Sequence, residues 1–96
     1  MPFYEEHCEE SVRLFGSAYE HVHKWLDEYA ESYEYTYRHR KKRHHMEGVR
    51  KVKELFGETA GEVARRHIIS DLKEEGWTES DPFPKNEAEY VKMGLF

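Results

Sequence analysis

The sequence predicts an all-α fold, a compact bundle of four to five helices with one long central helix. Three observations predict it. Apolar residues recur every three to four positions along most of the chain. Helix stop and start signals fall at Gly16-Ser17, Phe56-Gly57 and Gly76, and no stretch shows the two-residue alternation of a strand. A chain of 96 residues can bury one modest core and not two, so a single domain over residues 1–96 is expected.

The first helix is expected from Glu5 to Phe15, with Cys8, Val12 and Phe15 as its apolar stripe and His7 and Leu14 on the flank. Gly16 followed by Ser17 reads as a stop and a new start. From Tyr19, Val22, Leu26, Tyr29 and Tyr33 step by three and four, and a weaker pattern continues through Tyr37, His44, Gly48, Val52 and Leu55 to Phe56-Gly57. As one helix, residues 17–56 would span about 60 Å at about 1.5 Å per residue. That is too long for a domain of this size, so a break is expected, with Asp27 the preferred cap of a second segment and Ser32 the other choice. A third long helix begins at a Thr59–Glu62 capping box, turns Val63, Ala64, Ile68 and Leu72 inward, and ends before Gly76. Residues 77–96 are expected to form a loop, containing Ser80, Asp81, Pro82 and Pro84, and then a short helix capped by Asn86 and running through Met93.

The chain is 38% hydrophobic and 36% charged, a composition that folds and carries a densely charged surface of the kind that suits high temperature. No apolar run approaches the roughly 18–20 residues that span a bilayer, and the acidic N-terminus lacks a secretory pattern. No membrane partner and a cytoplasmic location are therefore expected. Cys8 is the one cysteine and sits among Glu5, Glu6, Glu9 and Glu10, which disfavour a thiolate, so it is expected to pack rather than react. Charge is segregated: residues 1–37 hold nine acids against two bases, while Arg38, Arg40, Lys41, Lys42 and Arg43 crowd into residues 38–45, and the two segments are expected to attract each other.

Seven histidines are the most unusual feature, and their placement matters more than their number. His7, His23 and His67 lie beside apolar stripes on three separate segments, and His44 falls within the stripe of the central one. His23 precedes Asp27 by four residues, as His67 precedes Asp71, so each pair leaves one helix face together. Such a pair suits either a shared metal ion or a mutual hydrogen bond. His44 and His45 diverge by about 100° on a helix, so one could ligate while the other supports it. On an unbroken helix His23 and His44 would stand about 31 Å apart, so a shared site requires the chain to turn back between them.

His7, His23, His44, His45, His67 and Asp71 are the candidate ligands of a divalent metal, with zinc, iron, manganese or nickel as candidates. In a catalytic version, a metal-activated water would attack a phosphoester or amide, and Arg38 or Arg43 would stabilise the developing negative charge. Two other readings stay open. The first is a non-enzymatic module, a homo-oligomer whose histidines are structural. The second is nucleic-acid or phosphate binding through residues 38–45 with Tyr33, Tyr35 and Tyr37, which the acidic pI near 5.8 and the wrapping of cations around the helix disfavour. Phosphate loops, Cys-x-x-Cys pairs, zincin motifs and nucleophile elbows are all missing, which removes several common enzyme classes.

One set of residues carries a family resemblance. His7 stands eight residues before Phe15-Gly16, and His23, Trp25 and Asp27 follow. Then come Arg38-His39-Arg40, Arg43-His44-His45 and Glu47-Gly48, and after them Phe56-Gly57 and His67 with Asp71-Leu72. In this pattern, which spans about residues 4–72, the chain resembles a small uncharacterised family of bacterial and phage proteins with an Arg-His-Arg-x-x-Arg-His-His-x-Glu-Gly motif. The resemblance implies a shared site and names no chemistry for it.

Overall fold

A computed structural model of the chain describes residues 4–28 and 40–95. Among them are six helices and no strand: α1 (Tyr4–Phe15), α2 (Glu20–Leu26), α3 (Arg40–Arg43), α4 (Met46–Phe56), α5 (Glu58–Glu74) and α6 (Glu87–Lys92). Tyr29, Ser32, Tyr33, Tyr35, Tyr37, Arg38 and His39 lie outside the described residues.

The core is built where helices present small and branched apolar side chains to one another. Val49 and Val52 of α4 meet Ala60, Val63, Ala64, Ile68 and Leu72 of α5, and Val22 and Leu26 of α2 close the cluster from one side. Each fully buried branched side chain contributes about 1.5–3 kcal/mol over its exposed state. Trp77 and Tyr90 complete the cluster from the C-terminal segment, and Trp77 Nε1 donates to the Pro82 carbonyl at 3.0 Å, so its polar edge is satisfied inside the loop.

The helix ends follow local chemistry at most places and tertiary contacts at the rest. Gly57, with a φ of 102°, takes the backbone turn that separates α4 from α5. Asn86 caps α6 as expected, its side chain accepting from the Glu89 amide at 2.9 Å. The expected capping box of α5 does not form: the helix already begins at Glu58 with Gly57 as its N-cap, which places Thr59 inside the first turn. Asp27 stands at a break, as expected, but at the C-terminal end of α2 and not as the cap of a following helix. A second break falls at His44-His45, between α3 and α4, and the long element of the fold is α5 with 17 residues. The described residues extend 35 × 33 × 26 Å, dimensions that have no room for a 60 Å rod.

Of the apolar stripe expected on α1, Cys8 and Phe15 are partly buried and Val12 is not. In α1 the buried positions are His7 and Ser11, whereas Val12 is 52% exposed and Leu14 is exposed as well. The helix turns a polar stripe inward because polar groups await it there. Leu55, at the last turn of α4, is likewise at the surface.

Candidate metal centre

Three segments bring four polar side chains to one buried point. On α5, His67 and Asp71 are one turn apart, and His67 Nε2 lies 3.2 Å from Asp71 Oδ2, as the i, i+4 spacing dictates. His44 enters from the bend before α4, with Nε2 at 2.9 Å from Asp71 Oδ2 and 3.6 Å from Asp27 Oδ1. Asp27, at the end of α2, also stands 3.5 Å from His67 Nε2. One ligand atom each from Asp27, His44, His67 and Asp71 lies within 4.8 Å of the other three. His44, His67 and Asp71 are buried, and the Asp27 side chain, 30% exposed, faces the solvent side of the group.

A ring of further polar groups surrounds these four. His7 of α1 stacks on His67 with ring centroids 3.8 Å apart, and its Nε2 is 3.3 Å from Asp71 Oδ1. Arg40 reaches the same oxygen at 3.5 Å, and its Nη1 bonds Glu75 Oε2 at 2.9 Å. Tyr90 donates to that glutamate oxygen at 3.0 Å, which ties α6 to the cluster. His23 lies behind His67, with their Nδ1 atoms 2.9 Å apart, and Ser11 Oγ is 2.8 Å from His23 Nε2.

The electrostatics follow from burial set against charge. Burial, aided by His67 and His7, pushes His23 down to about 3. Burial also lowers His44, to about 4, in spite of Asp71. Burial works in the same sense on His67, but Asp27 and Asp71 outweigh it and push that ring up to about 9. For Asp71, burial would raise the carboxyl, and His44, His67 and His7 together hold it well below the usual carboxylate range. His67 Nε2 and Asp71 Oδ1 are buried and meet no strict hydrogen-bond geometry, although polar atoms lie 3.2–3.5 Å from each. His44 Nε2 and Asp71 Oδ2 do pair, at 2.9 Å, and the four side chains together could hold a metal ion.

Of the residues singled out from the sequence, His7, His23, His44, His67 and Asp71 are brought together. His45 stands apart. Its Nδ1 accepts from the Gly48 amide as the N-cap of α4, and its Nε2 bonds the Lys42 carbonyl, so both ring nitrogens are engaged. Arg43 stacks over Trp25 at 3.9 Å, donates to the Trp25 carbonyl and pairs with Glu28 at 2.9 Å, away from the cluster. Of the basic run, Arg40 turns inward to Asp71 and Glu75, and Lys42 pairs with Glu87 at 3.1 Å. Among the described residues the Arg43–Glu28 pair joins that run to the acidic N-terminal segment, as expected from charge.

The i, i+4 spacing from His23 offers Asp27 as a possible ligand and its place at a break offers it as a cap, which kept it out of the candidate set; in the fold it reaches His44 and His67. Ser11 shares a helix face with His7 by i, i+4 spacing, and this signal was available too. Arg40, Glu75 and Tyr90 gave no local signal, because one inward arginine in a run of five cations has the same sequence neighbourhood as the outward ones.

Among the described residues no helix is long and apolar enough to cross a membrane. No curated protein and no solved structure gives a match to this chain. A family model does, over residues 2–81, which takes in all of α1 to α5, and the chain therefore belongs to the family of the domain of unknown function DUF6915.

Proposed function

We propose that the protein binds one divalent transition-metal ion through Asp27, His44, His67 and Asp71. The carrying observation is the spacing of the donor atoms. An ion held at about 2.0–2.1 Å by four tetrahedral donors sets them about 3.3 Å apart; the four separations between a histidine nitrogen and a carboxylate oxygen run from 2.9 to 3.6 Å, and all four donors lie within 4.8 Å of one another. Two imidazoles with two carboxylates form a donor set for zinc, iron, manganese or nickel, in which no thiolate favours a softer ion. Asp71 would bind through Oδ2 alone, because Oδ1 faces His7 and Arg40. The fixed guanidinium at that oxygen also disfavours a second ion, so the centre is mononuclear.

The test is elemental analysis of purified, untagged protein as isolated and after incubation with each of the four metals, beside His67→Ala and His21→Ala variants. One equivalent in the native and His21→Ala proteins, lost in His67→Ala, is the expected result. Native protein that retains no metal after all four incubations sinks the reading.

A catalytic role needs a coordination site for water, which a six-coordinate ion with these four ligands would leave open. A polar cleft of about 250 Å³, lined by Glu6, His7, Glu9, Glu10, Arg13 and Ser70, opens beside His7. Its three carboxylates against one arginine repel an anionic phosphoester, so an amide in a neutral or cationic substrate is the better match for metal-activated hydrolysis. The oligomeric module is the second reading, favoured by the exposure of Val12, Leu14, Leu55, Phe56 and Val91. Light scattering over a concentration series separates the two: a mass that grows with concentration in metal-free protein favours the module.

A further inference from the structure

We infer that His23 and Ser11 form a positioning relay that fixes which nitrogen of His67 faces the metal. The inference rests on the metal-binding reading and assigns to His23 a role other than ligand. The geometry is a chain of two contacts, Ser11 Oγ to His23 Nε2 at 2.8 Å and His23 Nδ1 to His67 Nδ1 at 2.9 Å. All three residues are buried, so each contact must have one donor and one acceptor. Both nitrogens of His23 are used in this way, which leaves the ring no lone pair for an ion.

Two polarities satisfy the chain. In the first, the Ser11 hydroxyl donates to His23, His23 Nδ1–H donates to His67 Nδ1, and His67 must then carry its proton on Nε2, which prevents ligation. In the second, His67 Nδ1–H donates to His23 Nδ1, His23 Nε2–H donates to Ser11 Oγ, and His67 Nε2, beside Asp27 and Asp71, is the nitrogen whose proton an incoming ion displaces. Only the second polarity presents a ligand, and it needs an acceptor at the far end. A serine hydroxyl serves there because its oxygen accepts in one polarity and donates in the other. Metal-bound histidines generally hold their second nitrogen in such a bond, which sets ring orientation and ligand basicity. In this fold the bond goes to another imidazole, and α1 supplies the terminal oxygen.

The effect on affinity follows from the loss of that orienting partner. Removing the acceptor at His23 should weaken Zn(II) binding about 10–100-fold, the range seen when outer-shell partners of metal-ligating histidines are lost. A glutamine there keeps an acceptor oxygen of similar reach.

The experiment measures Zn(II) affinity by chelator competition on full-length wild type, Ser11→Ala, His23→Leu and His23→Gln. It also records long-range ¹H–¹⁵N correlation spectra of the histidine rings in zinc-loaded wild type. The expected results are one equivalent of zinc in every protein, weakened binding in His23→Leu and Ser11→Ala, and recovery toward wild-type affinity in His23→Gln. The spectra should show His67 protonated at Nδ1 and metal-bound at Nε2. The wild-type spectra need no variant, so a poorly folded substitution does not block the test. Zinc on Nδ1 of His67, a zinc-shifted His23 ring, or unchanged affinity in both His23→Leu and Ser11→Ala overturns the relay while leaving the metal reading in place. Wild type that binds no zinc overturns the relay, and wild type that retains none of the four metals overturns the metal reading as well.

Discussion

At His44 and His45 two adjacent imidazoles do unrelated work. His44 points its Nε2 at Asp71 and Asp27, whereas His45 closes the first turn of α4. Replacing His45 with alanine removes a cap, which costs about 1 kcal/mol, and should leave metal stoichiometry intact; His44→Ala should abolish uptake. Urea unfolding and elemental analysis on the pair check both outcomes, and loss of metal in both variants would deny the separation of roles. Protonation divides the same neighbourhood. His23 and His44 have folded pKa values near 3 and 4, below the 6.5 of the free ring. The unfolded chain takes up those protons first, so their contribution is complete above pH 6.5 and is lost as pH falls toward 4. His67 runs the other way: with a folded value near 9, its contribution is complete below pH 6.5 and is lost as pH rises through 9. The metal-free protein should therefore be most stable near pH 6–7, with an alkaline loss of about 2–3 kcal/mol from His67. Urea midpoints in chelator at pH 4.5, 6.5 and 9 measure it, and a flat profile from 6.5 to 9 would show that no second proton is held on that ring.

The bend between α3 and α4 is the element on which the arginine-histidine motif acts. Arg40 anchors it to Asp71 and Glu75, Arg43 to Trp25, His44 enters the cluster and His45 caps the next helix. The carbonyls of Pro84 and Lys85 accept from the Met46 and Glu47 amides at 3.0 and 3.1 Å, so the C-terminal loop finishes the helix start. Gly48 permits the chain to close on itself, because a Cβ there would run into the Arg43 carbonyl oxygen. Gly48→Ala must move backbone and should cost about 1–3 kcal/mol, with weaker metal binding as His44 shifts. Gly61→Ala is the control. The nearest atoms to a Cβ there belong to the Lys53 side chain, which can move without the backbone, and alanine gains about 0.8–1 kcal/mol of helix propensity over glycine. Thermal melts should show the smaller loss at Gly61→Ala, and equal destabilisation would show that the close approach at Gly48 has no special cost. These contacts also mark how far the sequence could be read. The His67–Asp71 pair and the Asn86 cap were legible because a single helix turn defines them. The bend at His44 was not, since carbonyls some 40 positions away complete it. The inward face of α1 was hidden for a related reason: periodicity detects apolar stripes, and its buried residues are His7 and Ser11.

Across the whole molecule, the helices are held by two different kinds of glue. The α4–α5 pair shares the apolar core of Val49, Val52, Ala60, Val63 and Ala64, an attachment that needs no ion. The position of α1 depends instead on polar contacts, His7 on His67 and Asp71 and Ser11 on His23, with Phe15 as its partly buried apolar contact. A metal at the cluster should therefore act unevenly. At 100 times its dissociation constant an ion adds about 2.7 kcal/mol to folded stability, and only part of that increment reaches α1, through the His67 ring it fixes. Local opening of α1 costs less than global unfolding, because little apolar area is exposed when it lifts away. Native-state hydrogen exchange with and without zinc tests the division. Amides of α4 and α5 that exchange through global unfolding should slow by the full factor when zinc is added and amides of α1 by a smaller one, because lifting α1 away leaves all four ligands in place; His7→Ala should reduce the α1 effect further by releasing α1 from the cluster. Uniform slowing of all the helices would instead mean that α1 opens only with the entire fold, and that its polar anchor is as strong as the apolar core.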